Sequence, residues 1–572
     1  RIYDYALDSE AVAALYEEAV AEPSKEAVKK AVTVDKVLPS ATIGAGSGYD
    51  LPDHTSVNFT DGTTNKAYLT WKDEKGNVVD DTSKLDAGVY NLTATVEDYF
   101  ASPFLAESAD PQVYFDEQSG LYFFTCSDPA YGSIDNGYNK ISLRVSKTLQ
   151  GLKDANPVVI WDANDSSVNK YGKIHIWAPE IHRIGGKFYI YFAGAIDGGA
   201  WNIRPRVLTC DIDDDNMTAD ELAAEITKSS HWTEHERFTD KDGGYEGFNG
   251  MSLDMTYFEA NGKSYVIWAD IEPRSMLKIA TVDPKDPTHL TSDALIIAYP
   301  EYSWERINEN VDEGPSVLIA NGRINVVFSA SGTGPEYAMG LLSAAENADL
   351  LEIRSWTKQS TPILQSSDLV EKYGPGHNSF TYDESGNAVL VYHARDERCY
   401  SNKCDYASKD SLYDPCRHCY MAYVRFDEDG NLVLSSTANK ELASLKENTV
   451  TFTLTVSDKP DEERVEDALN AIMINGLDDV RGNLVLPTEF KGVKISWKSS
   501  DSDIITDSVV DGKAPGLVTR PSKDVKVTLT ATASVGAVSA SKSFEANVKA
   551  APKAIETTDY LFAYFMGEGY AT

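Results

Sequence analysis

Five residues of the chain recur at one position of a repeated unit: Asp110 in SADPQVYF, Trp177 in HIWAPEIH, Asp254 in SLDMTYFE, Glu313 in DEGPSVLI and His377 in PGHNSFTY. Each lies 8 to 10 residues ahead of a glycine that turns one apolar run into the next. Acids at matched positions carry more information than acids scattered among the 89 that the chain contains. Two carboxylates of unlike pKa are what hydrolysis of a glycosidic bond requires. One protonates the leaving oxygen, and the other activates water or attacks the sugar. A third carboxylate close by raises the pKa of the acid through like-charge repulsion. Trp177 offers a flat face to a sugar, and a histidine at the same level could hold a metal ion or a bridging water. The plainer alternative is that these acids cap turns or line a solvated channel mouth.

The elements that must position these residues are strands. The unit reads as a strand, a turn ending in glycine and a second strand rich in aromatic and β-branched residues: VYFDEQSGLYFFTCS, IHRIGGKFYIYFAG, YFEANGKSYVIWAD, VLIANGRINVVFSA and FTYDESGNAVLVYHA. The turn glycines Gly120, Gly186, Gly262, Gly322 and Gly386 are separated by 66, 76, 60 and 64 residues, which leaves room for two further strands per unit. Four strands repeated radially make a propeller blade, and these units exceed the ~40–45 residues of WD40-type blades. The expected fold is all-β: a five-bladed β-propeller with flanking Ig-like β-sandwich domains. Inner strands would surround the axis, so the five matched residues would converge on one shallow funnel.

From about Ala101 to Asn431 the motifs resemble glycoside hydrolase family 43, and within it the α-L-arabinofuranosidase-like members that carry WAPEIH. The matching stretches include ADPQVYF, LRVSKTLQGL, HIWAPEIHRIGGKFYIYFAG, SLDMTYFEANGKSYVIW, EGPSVLIANGRI, YGPGHNSFT and VYHARD. The resemblance implies an inverting, exo-acting hydrolase that releases terminal α-L-arabinofuranose from arabinan, arabinoxylan or arabinogalactan. β-Xylosidase and endo-arabinanase are the sister activities, and a non-catalytic glycan-binding protein is the alternative from another class. By the same resemblance Asp110 is the general base, Glu313 the general acid and Asp254 the residue that orients the acid and raises its pKa. An inverting pair stands ~6.5–9.5 Å apart. His377 would hold an axial ion, usually calcium, Arg395 would donate to the sugar or the base, and Trp177 would wall the −1 subsite. Where the family commonly has asparagine before the acid, this chain has Asp312. Neighbours in a strand point to opposite faces, and register with Asp254 and His377 favours Glu313.

Bulk properties agree with a globular, multi-domain chain: 572 residues, 42% hydrophobic and 25% charged. A net charge of −37 argues against nucleic acid, which is held by Lys and Arg on phosphate. No apolar run is long enough to span a bilayer. An arabinose-containing plant glycan is the expected partner, with no organic cofactor, a monomeric state and an extracellular or bacterial cell-surface location. Both ends read as cut, so signal and anchor would lie outside this piece.

Six domains or segments are expected. Residues 1–31 resemble the tail of a concanavalin- or laminin-G-like domain plus a linker, and 32–99 form a bacterial Ig-like domain. The propeller occupies 100–440, a linker or strand 441–460, a second Ig-like domain 461–552, and the start of a further family 43 domain 553–572. Cys399, Cys404, Cys416 and Cys419 form C-x4-C-x11-C-x2-C, which suits either structural zinc or two disulfides as a loop staple. Cys126 and Cys210 read as buried free thiols. DIDDDNMTADEL starts like an EF-hand loop but lacks its glycine and closing glutamate, so it reads as a surface loop entering a short helix.

Overall fold

A computed structural model of the chain describes residues 30–551, apart from positions 37, 39, 97, 197–198, 236, 249, 272–274, 402–409, 435–440 and 443. The concanavalin-like tail, the start of a further family 43 domain and Cys404 lie outside the described residues. The chain divides into two compact units.

The first unit comprises Arg1–Val34, Ser56–Tyr68 and Val96–Asn448. Among its described residues, five antiparallel sheets follow one another along the chain between 109 and 423. Their first strands are Ala109–Asp116, Trp177–Ile184, Ser252–Ala260, Asp312–Ala320 and Lys372–Tyr382. Each first strand packs against the next, and the fifth packs back against the first, so the series closes. The outer strand of the fifth sheet, His418–Tyr423, is joined by the segment that precedes the first sheet: Phe104 N–H donates to Cys419 O at 2.9 Å, and Cys419 N–H donates to Leu105 O at 2.8 Å. Early chain thus covers the edge of the last sheet, which removes an unpaired edge.

Burial explains why these strands read as nearly continuous apolar runs. Lys187–Ala195 is buried at every position after its first residue, because its sheet is covered on both faces by neighbouring sheets. Apolar clusters fill four successive gaps between the sheets. Phe123 and Leu143 meet Ile190 and Leu208 between the first and second sheets. Tyr191 and Val207 meet Val266 and Trp268 between the second and third. Ile267 and Ile279 meet Val326 and Leu342, and Val327 and Leu341 meet Leu390 and Tyr420. Each such side chain stabilises the fold by about 1.5–3 kcal/mol when fully buried. All five turn glycines have positive φ, between 69° and 86°, as their tight turns require.

The second unit comprises Asp35–Thr55, Leu69–Thr95 and Thr449–Thr572. The strand Thr449–Val456 lies inside a sheet whose other members precede the first unit's five sheets, antiparallel to Gly88–Thr95 and parallel to Ala41–Ile43. Its alternating burial places Phe452 against Trp71 and Tyr49. A second sheet, formed by Glu489–Phe490, Val493–Ser499, Val525–Val535 and Val538–Val548, is covered by the helix Asp461–Ala471. Trp497 sits in its core, with Nε1 donating to Pro487 O at 2.8 Å. Among the described residues, no helix is long and apolar enough to cross a membrane.

Candidate active site

The start of every first strand carries the same backbone device. Pairing with the second strand slips between Ala109 and Gln112, Trp177 and Glu180, Leu253 and Thr256, Glu313 and Ser316, and Gly376 and Ser379. Inside each slip one residue is left-handed: Asp110 (φ 53°), Ala178 (43°), Asp254 (56°), Gly314 (53°) and His377 (41°). A β-bulge with positive φ re-aims the chain, and non-glycine residues adopt it at a cost of order 1–3 kcal/mol. The repeat thus carries functional side chains at two registers. Asp110, Asp254 and His377 occupy the left-handed position itself, while Trp177 and Glu313 precede it. In the fourth strand the position is Gly314, where an added Cβ would come 3.2 Å from the His377 ring, closer than ordinary contact.

Asp110 is a buried carboxylate surrounded by donors. Ser127 Oγ donates to its Oδ2 at 2.6 Å, and the Arg417 guanidinium donates to Oδ1 at 3.3 Å. His377 Nδ1 stands 3.4 Å from the same oxygen. His393 Nδ1 accepts the Asp110 backbone N–H at 3.0 Å, which puts the imidazole proton on Nε2. Burial works to raise the Asp110 pKa, but the charge of Arg417 and then that of His377 hold it well below the ordinary carboxylate range. His393 stays neutral: burial, with Arg417 nearby, pulls it down to about 3.

Asp254 and Glu313 are the opposite case. Burial, then the charges of Glu313 and Asp110, push Asp254 up to about 8 against the pull of His377. Its Oδ2 accepts the Gly314 N–H at 3.0 Å, so the bulge after Glu313 is tied to this carboxylate. Glu313 is also raised, chiefly by burial, although Tyr337 OH donates to its Oε1 at 2.8 Å. The site therefore contains one carboxylate whose ionised form is favoured beside two whose pKa values are raised.

Residues 100–432 match the family described as Glycosyl hydrolases family 43. The chain belongs to this family. Residues 38–99 match a bacterial Ig-like domain (group 4), and 465–551 match an atrophied bacterial Ig domain. The chain is 36% identical over 336 residues to an extracellular exo-α-(1→5)-L-arabinofuranosidase of Streptomyces avermitilis, an overlap of 58% of this chain and 62% of that protein. It is 33% identical over 427 residues to α-L-arabinofuranosidase 43 of Humicola insolens, covering 72% of this chain and 77% of the relative. The crystal structure of an α-L-arabinofuranosidase from Lactobacillus brevis superposes with a TM-score of 0.50 at 36% identity, over 59% of this chain and 96% of that one.

Around the family 43 carboxylates the other expected residues take definite places. Trp177 is buried, with His175 stacked at 4.2 Å, Tyr138 edge-on at 5.7 Å and Trp201 at 6.1 Å. Trp201 is 53% exposed and extends this aromatic wall to the surface. Glu180 pairs with His182 Nε2 at 2.9 Å. Arg395 departs from its expected role. Its Nε donates to Asp414 Oδ2 at 3.0 Å, and its terminal nitrogens donate to Thr333 O and Ser411 O. With its three nitrogens committed to loop atoms, it braces the loop, and the guanidinium on Asp110 is that of Arg417.

Asp312, the neighbour of Glu313, faces away from these groups. Lys358 Nζ lies 2.8 Å from its Oδ2 and 2.6 Å from Glu305 Oε1. Ser275 Oγ clamps its backbone, donating to Asp312 O at 3.0 Å and accepting from Asp312 N–H at 2.9 Å. The choice between the two adjacent acids follows from these partners. Sequence reasoning missed Tyr337, His393 and Ser127. VYHARD does hold a signal for His393, since strand alternation puts it on the face that carries Arg395.

Of the cysteines, Cys126, Cys210, Cys399 and Cys419 are free thiols. Cys416 is disulfide-bonded. The EF-hand-like stretch runs into the helix Ala219–Ile226, entered through a capping box between Thr218 and Glu221.

Proposed function

We propose that the chain is an inverting, exo-acting α-L-arabinofuranosidase built on a five-bladed β-propeller. The observation that carries this reading is the split between Asp110, whose pKa is held low, and Glu313, whose pKa is raised, at the starts of the first and fourth inner strands of a closed series of five. Glu313 gives its proton to the departing glycosidic oxygen. Asp110 takes a proton from water as that water attacks the anomeric carbon from the opposite face. Asp254 holds the Gly314 N–H and thereby the backbone that aims Glu313, and its charge keeps Glu313 protonated once it ionises. Trp177 and Trp201 give the sugars a flat wall. The names of the Streptomyces and Humicola relatives favour terminal α-L-arabinofuranose as the sugar released, and the former favours action outside the cell.

A calcium ion at the axis, which the family resemblance implies, has His377 as its candidate ligand. His377 Nδ1 faces Asp110 and Asp254 at 3.4 and 4.0 Å. That geometry reads as ion pairing with Asp110, with Asp254 close by, while calcium prefers six to eight oxygens. A calcium ion here would rest largely on water, and no step above uses it.

The deciding experiment compares nitrophenyl α-L-arabinofuranoside with the β-D-xyloside, using Glu313→Gln as control and proton NMR to follow the first anomer released. Faster arabinofuranoside hydrolysis, a β-anomer first product and loss of Glu313→Gln activity on an arabino-oligosaccharide, whose leaving group needs the proton, are expected. A faster xyloside overturns the substrate, a retained anomer overturns the water-activating role, and a Glu313→Gln chain that cleaves the oligosaccharide at the wild-type rate overturns the acid.

A further inference from the structure

We propose that Cys399, Cys416 and His418 form a soft-metal site, suited to Zn2+, in the reduced chain. Their ligand atoms lie within 4.8 Å of one another and all three residues are buried; among the described residues no other trio of His, Cys, Asp or Glu is this close. Thiolate and imidazole are the donors zinc prefers. At Zn–S near 2.3 Å and Zn–N near 2.0–2.1 Å a tetrahedral site separates its ligands by roughly 3.5–3.8 Å. Closure therefore needs shifts of only about 1 Å.

The histidine is already oriented for the task. The Glu107 N–H donates to His418 Nδ1 at 2.9 Å, so Nδ1 is an acceptor and Nε2 is the nitrogen left for a metal. The Asp396 carboxylate stands 4.0 Å from Nε2, too far for a hydrogen bond. Sequence spacing pointed to a different set of ligands. Cys419 follows His418 in the strand His418–Tyr423, so alternation turns it to the other face. Its thiol lies 3.9 Å from Tyr420 O.

Cys416 is disulfide-bonded, and one sulfur cannot serve both bonds. The disulfide must open first. A dithiol reductant supplies two electrons, leaves as its own cyclic disulfide, and its two protons end on the two released sulfurs. Zinc then displaces the thiol protons of Cys399 and Cys416 and coordinates His418, with water as fourth ligand. Cys416 and His418 flank Arg417, whose guanidinium binds Asp110. An ion there would fix the backbone on both sides of the residue that keeps the base ionised.

The test is a Co2+ titration of the full chain after reduction with dithiothreitol and anaerobic removal of the reductant. The thiolate-to-cobalt charge-transfer band is the readout. One equivalent is expected in reduced wild type and in Cys419→Ser, and none in the oxidised chain. In Cys399→Ser the affinity should fall at least tenfold, and His418→Gln should weaken binding while keeping the band. The proposal is overturned if reduced wild type shows no band, if the band survives unchanged in Cys399→Ser, or if it requires Cys419. Should Cys399→Ser fail to fold, alkylation of reduced wild type mapped by mass spectrometry replaces it. Zn2+ must then protect Cys399, and equal labelling with and without Zn2+ overturns the site.

Discussion

Asp312 and Glu313 are consecutive in one strand and have wholly different partners. Asp312 lies 2.8 Å from the ammonium of Lys358, whereas Glu313 accepts a hydrogen bond from Tyr337 OH at 2.8 Å. Strand alternation sends one carboxylate behind the first strand and the other to the side of Asp254 and His377. Two acids that look interchangeable on paper are thus separated into an anchor and the proposed proton donor.

Substitution should separate them in the same way. Glu313→Gln is expected to lower kcat by about 10²–10⁴, the usual contribution of a general acid. The loss should shrink on an aryl glycoside whose leaving group needs no proton. Asp312→Asn should keep kcat within about tenfold of wild type, because it leaves the Glu313 environment in place. Steady-state kinetics on both substrates checks the pair.

The pH profile follows from the opposed shifts. Asp110 is held below its ordinary range, so the base stays ionised well into acid. Glu313 is raised, so it remains protonated where an ordinary glutamate has ionised. kcat/KM should therefore form a plateau across mildly acidic pH and fall as Glu313 loses its proton. Arg417→Met removes the first charge that holds Asp110 down, and should move the acid limb to higher pH. A limb that stays in place would refute this account of Asp110.

Asp254 costs stability in exchange for chemistry. Its pKa is raised to about 8 against 3.8 for the free side chain, so between those values the folded chain holds a proton that the unfolded chain has released. The folded state thus loses stability as pH climbs through this window. Asp254→Asn, which keeps an acceptor for the Gly314 N–H, should raise stability by roughly 1–3 kcal/mol at pH 8 and by less at pH 5. Activity should fall more at pH 8, where the wild-type carboxylate begins to carry its charge, than at pH 5. Thermal unfolding at the two pH values reads the difference.

Lys358 compensates two buried carboxylates at once. Lys358→Met should destabilise the fold by about 3–5 kcal/mol near pH 8, the cost of leaving buried charge unpaired. Burial first, partly offset by Lys358, puts Asp312 at about 7, so at pH 5 this carboxyl takes up a proton and the loss should be smaller. Urea denaturation at both pH values checks the sign.

Gly314→Ala tests the bulge. The substitution combines a φ of 53° with a Cβ placed 3.2 Å from the His377 ring. A destabilisation of about 1–3 kcal/mol is expected, with a fall in kcat larger than any change in KM. An unchanged kcat would show that the bulge does not aim Glu313.

Much of this was legible along the chain. Period-two patterning and turn glycines repeat locally, so the five hairpins and the matched acids can be counted from residue types alone. So could the family, because its motifs sit at those strand starts. What could not be read is whatever depends on pairs far apart in sequence. Arg417 reaches Asp110 across 307 residues, and the strand Thr449–Val456 pairs with Gly88–Thr95 across the whole of the intervening sheets. Arg395 looked like the arginine of the base because the VYHARD motif names it, and lost that role to loop carbonyls the motif does not show. Trp177 and Glu313 share a register with Asp110 by counting, yet the bulge shifts them by one residue. Local sequence sets strand period and turn chemistry, since those are short-range steric matters. Which carboxylate is ionised depends on burial and on charges brought close by folding, and those exist only once the distant strands have met.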